Sequence, residues 1–199
     1  MALPATDIRR VPASAPDPRD ALRRATAHLH AEVDANMPLA RPNPSLADYR
    51  RHLALLADWV RALRALPVDV DRLDDEARRL DADLFECERM LNIPHATPSQ
   101  SPGRADGATG PFGWGVAYVL EGSRLGGQVM YRRLADTLAP HSLAYLQGAG
   151  RETGARWAAF LTELRQHVRT EADIGAACEG AVQAFALLLA CHRARERSA

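Results

Sequence analysis

The chain has 199 residues, enough for one domain whose core needs neither disulfides nor a structural metal. Its 25 basic and 25 acidic residues cancel, so net charge gives no argument for nucleic acid, an anionic membrane or a polyanionic substrate. The three cysteines, Cys87, Cys178 and Cys191, are odd in number and lack CxxC or Cys/His spacing, which argues against a disulfide framework or a zinc site and leaves reduced thiols.

Residues 1–18 hold Pro4, Pro12, Pro16 and Pro18 among small and polar residues, a composition that cannot offset its ordering entropy. A flexible tail is expected there, with one helical domain over residues 19–199. No unbroken apolar run reaches the ~18 residues of a bilayer span, and the first residues lack the apolar centre of a secretory signal. A cytoplasmic protein without a membrane partner is the expectation.

A helix is predicted to open near Asp20, in DALRRATAHLHAEVDA, with its apolar face on Leu22, Ala25, Leu29 and Val33 and with Thr26 inside that face. With Leu22 as zero, His30 falls at roughly 80° and His28 at roughly 240° on a wheel of 100° steps. His30 therefore flanks the buried face, and His28 points away. Arg23, at roughly 100°, shares the side of His30 about two turns earlier, so a cation and a possible metal ligand stand on one wall. Asp34, one turn after His30, is either a partner for the second imidazole nitrogen or an ordinary solvated i,i+4 neighbour.

Ser45 with Asp48 three residues later predicts a second helix start, carried on by Leu46, Leu53, Leu56, Val60 and Leu63 until Pro67. Pro94 to Pro111 reads as a surface excursion, long for a compact domain. Next comes GWGVAYVLEGSRLGGQVMYRRL, from Gly113 to Leu134, apolar enough for a helix although each interior glycine costs about 1 kcal/mol against alanine. Gly115, Gly122 and Gly126 fall within about 40° of one another and form a strip without side chains. Either a flat ligand or another helix can approach such a strip, and the helix can also bend or break at it. The P-loop pattern is absent. Trp157, Phe160, Leu161, Leu164 and Val168 form a further stripe, and Ile174, Cys178, Ala181, Phe185, Leu188 and Leu189 another. The expected fold is all-α, a single multihelical domain of about six to eight helices without internal repeats.

LRRATAHLHAEVD and AYVLEGSRLGGQVMYRRL together resemble the two signature segments of haem oxygenases, especially the bacterial branch found beside bacterial phytochromes. The resemblance assigns Leu22, Arg23, Thr26 and His30 to the proximal helix, with His30 as iron ligand, Arg23 and Thr26 as cofactor-binding residues and Asp34 in the family's acidic position. It assigns Gly122, Gly126, Gly127 and Gln128 to the distal helix, where Gly122 and Gly126 let the backbone lie over the ring and Gly127 and Gln128 join the cofactor-binding set. Ser123 stands where animal members carry an acidic residue that orders distal water, and it is the catalytic candidate for that network, against an ordinary intrahelical hydroxyl bond. Arg132, Arg133, Arg156 and Arg165 are candidates to hold the propionates.

The implied activity is oxidative cleavage of haem, both cofactor and substrate, by O2 to biliverdin, CO and ferrous iron, for bilin supply or iron acquisition. No flavin or nicotinamide motif is present, so a ferredoxin or reductase is expected as electron donor and a bacterial phytochrome as bilin acceptor. The competing reading is a haem storage or carrier protein that does not degrade its ligand.

Overall fold

A computed structural model describes residues 16–95 and 110–198. The tail expected over residues 1–18 lies outside the described residues as far as residue 15, and the excursion expected from Pro94 to Pro111 does so over 96–109. Among the described residues there is no strand. The described residues form seven α-helices and two short 3-10 turns: α1 (Pro18–Asn36), α2 (Leu46–Leu63), α3 (Val70–Met90), α4 (Pro111–Leu134), the single turn α5 (Ala144–Gln147), α6 (Thr153–His167) and α7 (Glu171–Arg197).

The helix starts follow from capping chemistry. The Asp17 carboxylate accepts the Arg19 N–H at 2.8 Å and Pro18 suits the first helical position, so α1 begins two residues ahead of the expected Asp20. Ser45 and Asp48 form a reciprocal capping box on α2, and Thr170 and Asp173 form one on α7. α2 ends at Leu63, short of Pro67. α3 buries Leu73, Leu80 and Cys87 at seven-residue spacing, a narrow stripe hidden in sequence by the charges around it.

α7 is the central helix, with α1, α2 and α4 packed against it. It is long and apolar enough on average to cross a bilayer, although no run in it is unbroken, and its apolar faces are taken up by these neighbours. Trp59 of α2 is buried there and donates its indole N–H to the Ala184 carbonyl at 2.8 Å. α4 and α7 meet at backbone distance. A Cβ placed on Gly115 would lie 1.8 Å from the Ala177 carbonyl oxygen, and one on Gly180 would lie 2.0 Å from that of Phe112. Glycine here is a packing requirement.

His52 of α2 is buried, and its Nδ1 has no hydrogen-bond partner among the described residues. Burial disfavours the imidazolium and pulls its pKa down from 6.5 to about 4. A folded-state value below the unfolded one means that the unfolded chain binds the proton first as pH falls. His52 should therefore withdraw on the order of 2 to 3 kcal/mol of stability between pH 6.5 and 4. Urea titrations across that window should show a flatter pH profile in His52→Leu than in the parent chain.

Candidate functional site

The two helices singled out by sequence both rest on α7 yet hardly touch each other. Two ties give their relative direction. Near the start of α4, Tyr118 has its hydroxyl pKa raised by burial, with the Arg19 and Arg23 guanidiniums of α1 close enough to oppose the rise. Near its end, the Arg133 guanidinium donates to the Leu39 carbonyl, just past α1. The helices thus run side by side in the same direction, and between the ties they bound an open-sided cleft.

On the α4 wall, nothing lies within 4 Å of a Cβ built on Gly122 or on Gly126. Val129 and Leu125 flank them and are 66% and 37% exposed, so the wall is apolar and free of side chains at its middle. On the α1 wall, the His30 side chain is 63% exposed, and its Nδ1 lies 2.9 Å from Oδ2 of Asp34. The ring meets the edge of Phe185 on α7, with centroids 5.9 Å apart at 60°. Nε2 has no partner among the described residues. His28 is exposed, as the helical wheel requires.

The other candidates divide. Arg23 is exposed at the cleft end beside Tyr118. Thr26 is buried in α1, and its hydroxyl donates to the Leu22 carbonyl at 2.8 Å. Ser123 likewise donates to the Leu120 carbonyl at 2.7 Å, the intrahelical bond rather than a link into the cleft. Gly127 is buried against Leu146 of α5, and the Gln128 side chain donates to the Gln147 carbonyl, so both attach α4 to α5. Among the propionate candidates, Arg165 pairs with Asp17 at 2.8 Å, Arg133 holds the chain after α1, and Arg156 lines a separate hollow. Arg132 is exposed on the last turn of α4.

Sequence reasoning missed Arg19, Tyr118, Leu125, Val129 and Phe185. Val129 follows Gly122 by seven residues, so the same strip carried the signal.

The back of α4 is fixed by charge. Arg124 binds the fully buried Glu76 of α3 at 2.6 and 2.9 Å and Glu121 at 2.9 Å, while Tyr145 donates to the other oxygen of Glu76 at 2.5 Å. Arg124 lies roughly 200° from Gly122 around the helix, so this anchor leaves the glycine face untouched.

A heme oxygenase of Xanthomonas campestris pv. campestris (strain 8004) is 34% identical over 151 residues, spanning 74% of this chain and 88% of that protein. A crystal structure of the NO- and CO-bound heme oxygenase from Neisseria meningitidis superposes with a TM-score of 0.62 at 24% identity, covering 90% of this chain and 92% of the other. It shares the all-α fold. No family model matches the chain.

Proposed function

Because the chain belongs to the haem oxygenase family, we propose that it binds haem in the cleft between α1 and α4 and opens the ring oxidatively, with His30 as iron ligand. The observation that carries this reading is an accessible imidazole on α1 together with the unobstructed, side-chain-free stretch Gly122–Gly126 on α4, two helices that both rest on α7. A flat apolar ring needs that combination: a ligand with a free lone pair, a surface that lets backbone approach, and cations at an edge for its carboxylates.

Bound haem supplies the iron at which O2 is activated and, as substrate, the meso carbon that is oxidised, giving biliverdin, CO and ferrous iron. Asp34 faces Nδ1 of His30, so the imidazole presents its Nε2 lone pair. Gly122 and Gly126 keep their side of the cleft low, and the exposed Leu125 and Val129 beside them would pack on a bound ring. Arg19 and Arg23, beside Tyr118, would supply cations for the propionates. The Ser123 hydroxyl donates to the Leu120 carbonyl, so it is engaged within its own helix.

Asp34→Ala should weaken hemin binding or turnover by about 10- to 100-fold, because the ligand loses the group that orients it. Asp34→Asn, which keeps an acceptor, should recover part of the loss in a Soret titration.

The family reaction draws electrons from a separate donor, here assigned to a ferredoxin or reductase. The reading is tested by mixing the protein with hemin, oxygen and such a system. Decay of the Soret band with growth of bilin absorption is expected; persistent haem without bilin establishes a carrier. Reconstitution of a bacterial phytochrome by the product separates chromophore supply from iron acquisition.

A further inference from the structure

Toward the start of α4, the glycine face of the cleft ends on an aromatic row. Tyr118 stands one turn before Gly122 and about 40° from it around the helix, so its half-buried ring sits on the face that the glycines leave open. Its hydroxyl feels the Arg19 and Arg23 guanidiniums of α1. From Tyr118 the row leaves the cleft. Between ring centroids, Trp157 of α6 lies 5.5 Å from Tyr118, Phe160 lies 5.7 Å from Trp157, and Trp114 of α4 lies 5.7 Å from Phe160. His167, exposed at the end of α6, stacks on Trp114 at 4.6 Å and 20°.

Single contacts of this kind are ordinary core packing. Their order is what stands out: two of the three tryptophans line up from the cleft to an exposed ring, while the third, Trp59, is sealed in the core against α7. Phenols and indoles give up an electron far more readily than a phenyl ring does. Tyr118, Trp157 and Trp114 are therefore stations for an electron, and Phe160 is the spacer between the last two. Arg72, whose guanidinium lies 6.0 Å over Phe160, would oppose positive charge in the row, but Glu121 at 3.0 Å and Asp69 at 3.3 Å neutralise it.

We propose that the row Tyr118–Trp157–Phe160–Trp114 passes electrons from a small surface reductant of the ascorbate class to cleft-bound haem that hydrogen peroxide has oxidised, a peroxide-reducing activity beside ring opening. The inference rests on the haem reading above; a histidine-held haem is the arrangement of peroxidases too. Hydrogen peroxide becomes two water molecules by taking two electrons and two protons, and haem alone supplies those electrons at its own expense. Tyr118 gives one electron to the haem and its phenolic proton to water at the cleft end, where the two guanidiniums favour loss of that proton. Trp157 refills Tyr118 and Trp114 refills Trp157, each indole losing a proton as the group before it regains one. Ascorbic acid, at half-buried Trp157 or at the exposed His167 end, returns the electron and the proton. Two passages convert one peroxide and one ascorbic acid to two waters and dehydroascorbate.

The hemin-loaded chain, its loading checked by the Soret band, is mixed with hydrogen peroxide in the absence of any electron donor and freeze-quenched. Electron paramagnetic resonance should show a protein radical with tyrosyl character, and peptide mass spectrometry should find added oxygen on Trp157 and Trp114 but not on Trp59. Tyr118→Phe should lose the tyrosyl signal and the oxygen on both tryptophans, and its haem should bleach faster. Trp157→Phe should keep the tyrosyl signal and lose the oxygen on Trp114. Tyr131→Phe, on the opposite face of α4 from Gly122, should match the parent chain. Ascorbate should suppress both radical and added oxygen in the parent chain. Bound hemin that yields no protein radical, or a radical and oxidation pattern unaltered in both Tyr118→Phe and Trp157→Phe, overturns the proposal. Should Tyr118→Phe fail to fold or to take up hemin, the oxygen on Trp114 in Trp157→Phe decides alone. A parent chain that binds no hemin overturns the haem reading itself, and this inference with it, so the two failures are distinct.

Discussion

Replacing His30 with alanine is expected to abolish imidazole-ligated haem and to lower turnover beyond roughly 100-fold, a larger loss than removal of a partner that only orients the ligand. The expectation rests on position. His30 combines an exposed ring, a carboxylate on Nδ1, an unpartnered Nε2 and contact with Phe185 of the helix that floors the cleft. Hemin titration should show the His30→Ala complex without its imidazole-ligand spectrum. Added imidazole should restore part of both spectrum and turnover, since the cleft itself is intact. His28→Ala should behave as the parent chain. The reverse pattern, with His28→Ala damaged and His30→Ala normal, would reject the assignment of walls to the cleft.

Much of this was legible from periodicity. The choice between His28 and His30 needs only the 100° step and a correctly placed apolar face, and the cap residues Ser45 and Asp48 announce α2 directly. What was not legible depends on where neighbouring elements lie. Thr26 and Ser123 look available in sequence, but their hydroxyls turn back onto the carbonyls of their own helix. Gly127 and Gln128 read as part of the distal motif, yet they meet α5, a single turn too short to carry a periodic signal. α3 was obscured because its three fully buried apolar positions stand among charges that serve the Glu76–Arg124 anchor and the surface.

The glycines give the second large effect. Gly115, Gly122 and Gly126 occupy nearly one angle on α4, so sequence offers a single strip with two explanations, close helix packing or room for a ligand. Both hold, at different points. At Gly115 the strip is pressed onto α7, and by Gly122 the same face stands open. Gly115→Ala or Gly180→Ala would put a Cβ at 1.8 or 2.0 Å from a carbonyl oxygen of the facing helix, a contact only backbone movement can relieve. Because the closest helix pair in the core must then separate, either substitution should destabilise the fold by about 4 kcal/mol or more, beyond ordinary overpacking. Gly122→Ala and Gly126→Ala meet no atom, so each should stabilise the haem-free protein by up to about 1 kcal/mol through helix propensity. The same two methyl groups would stand in the cleft, so hemin affinity and turnover should fall as stability rises. Urea denaturation of the four variants, paired with hemin titration of the two that fold more stably, separates a glycine needed by the helix pair from a glycine needed by the ligand. If Gly122→Ala and Gly126→Ala bind hemin as the parent chain does, that face of α4 is not the wall of the haem site.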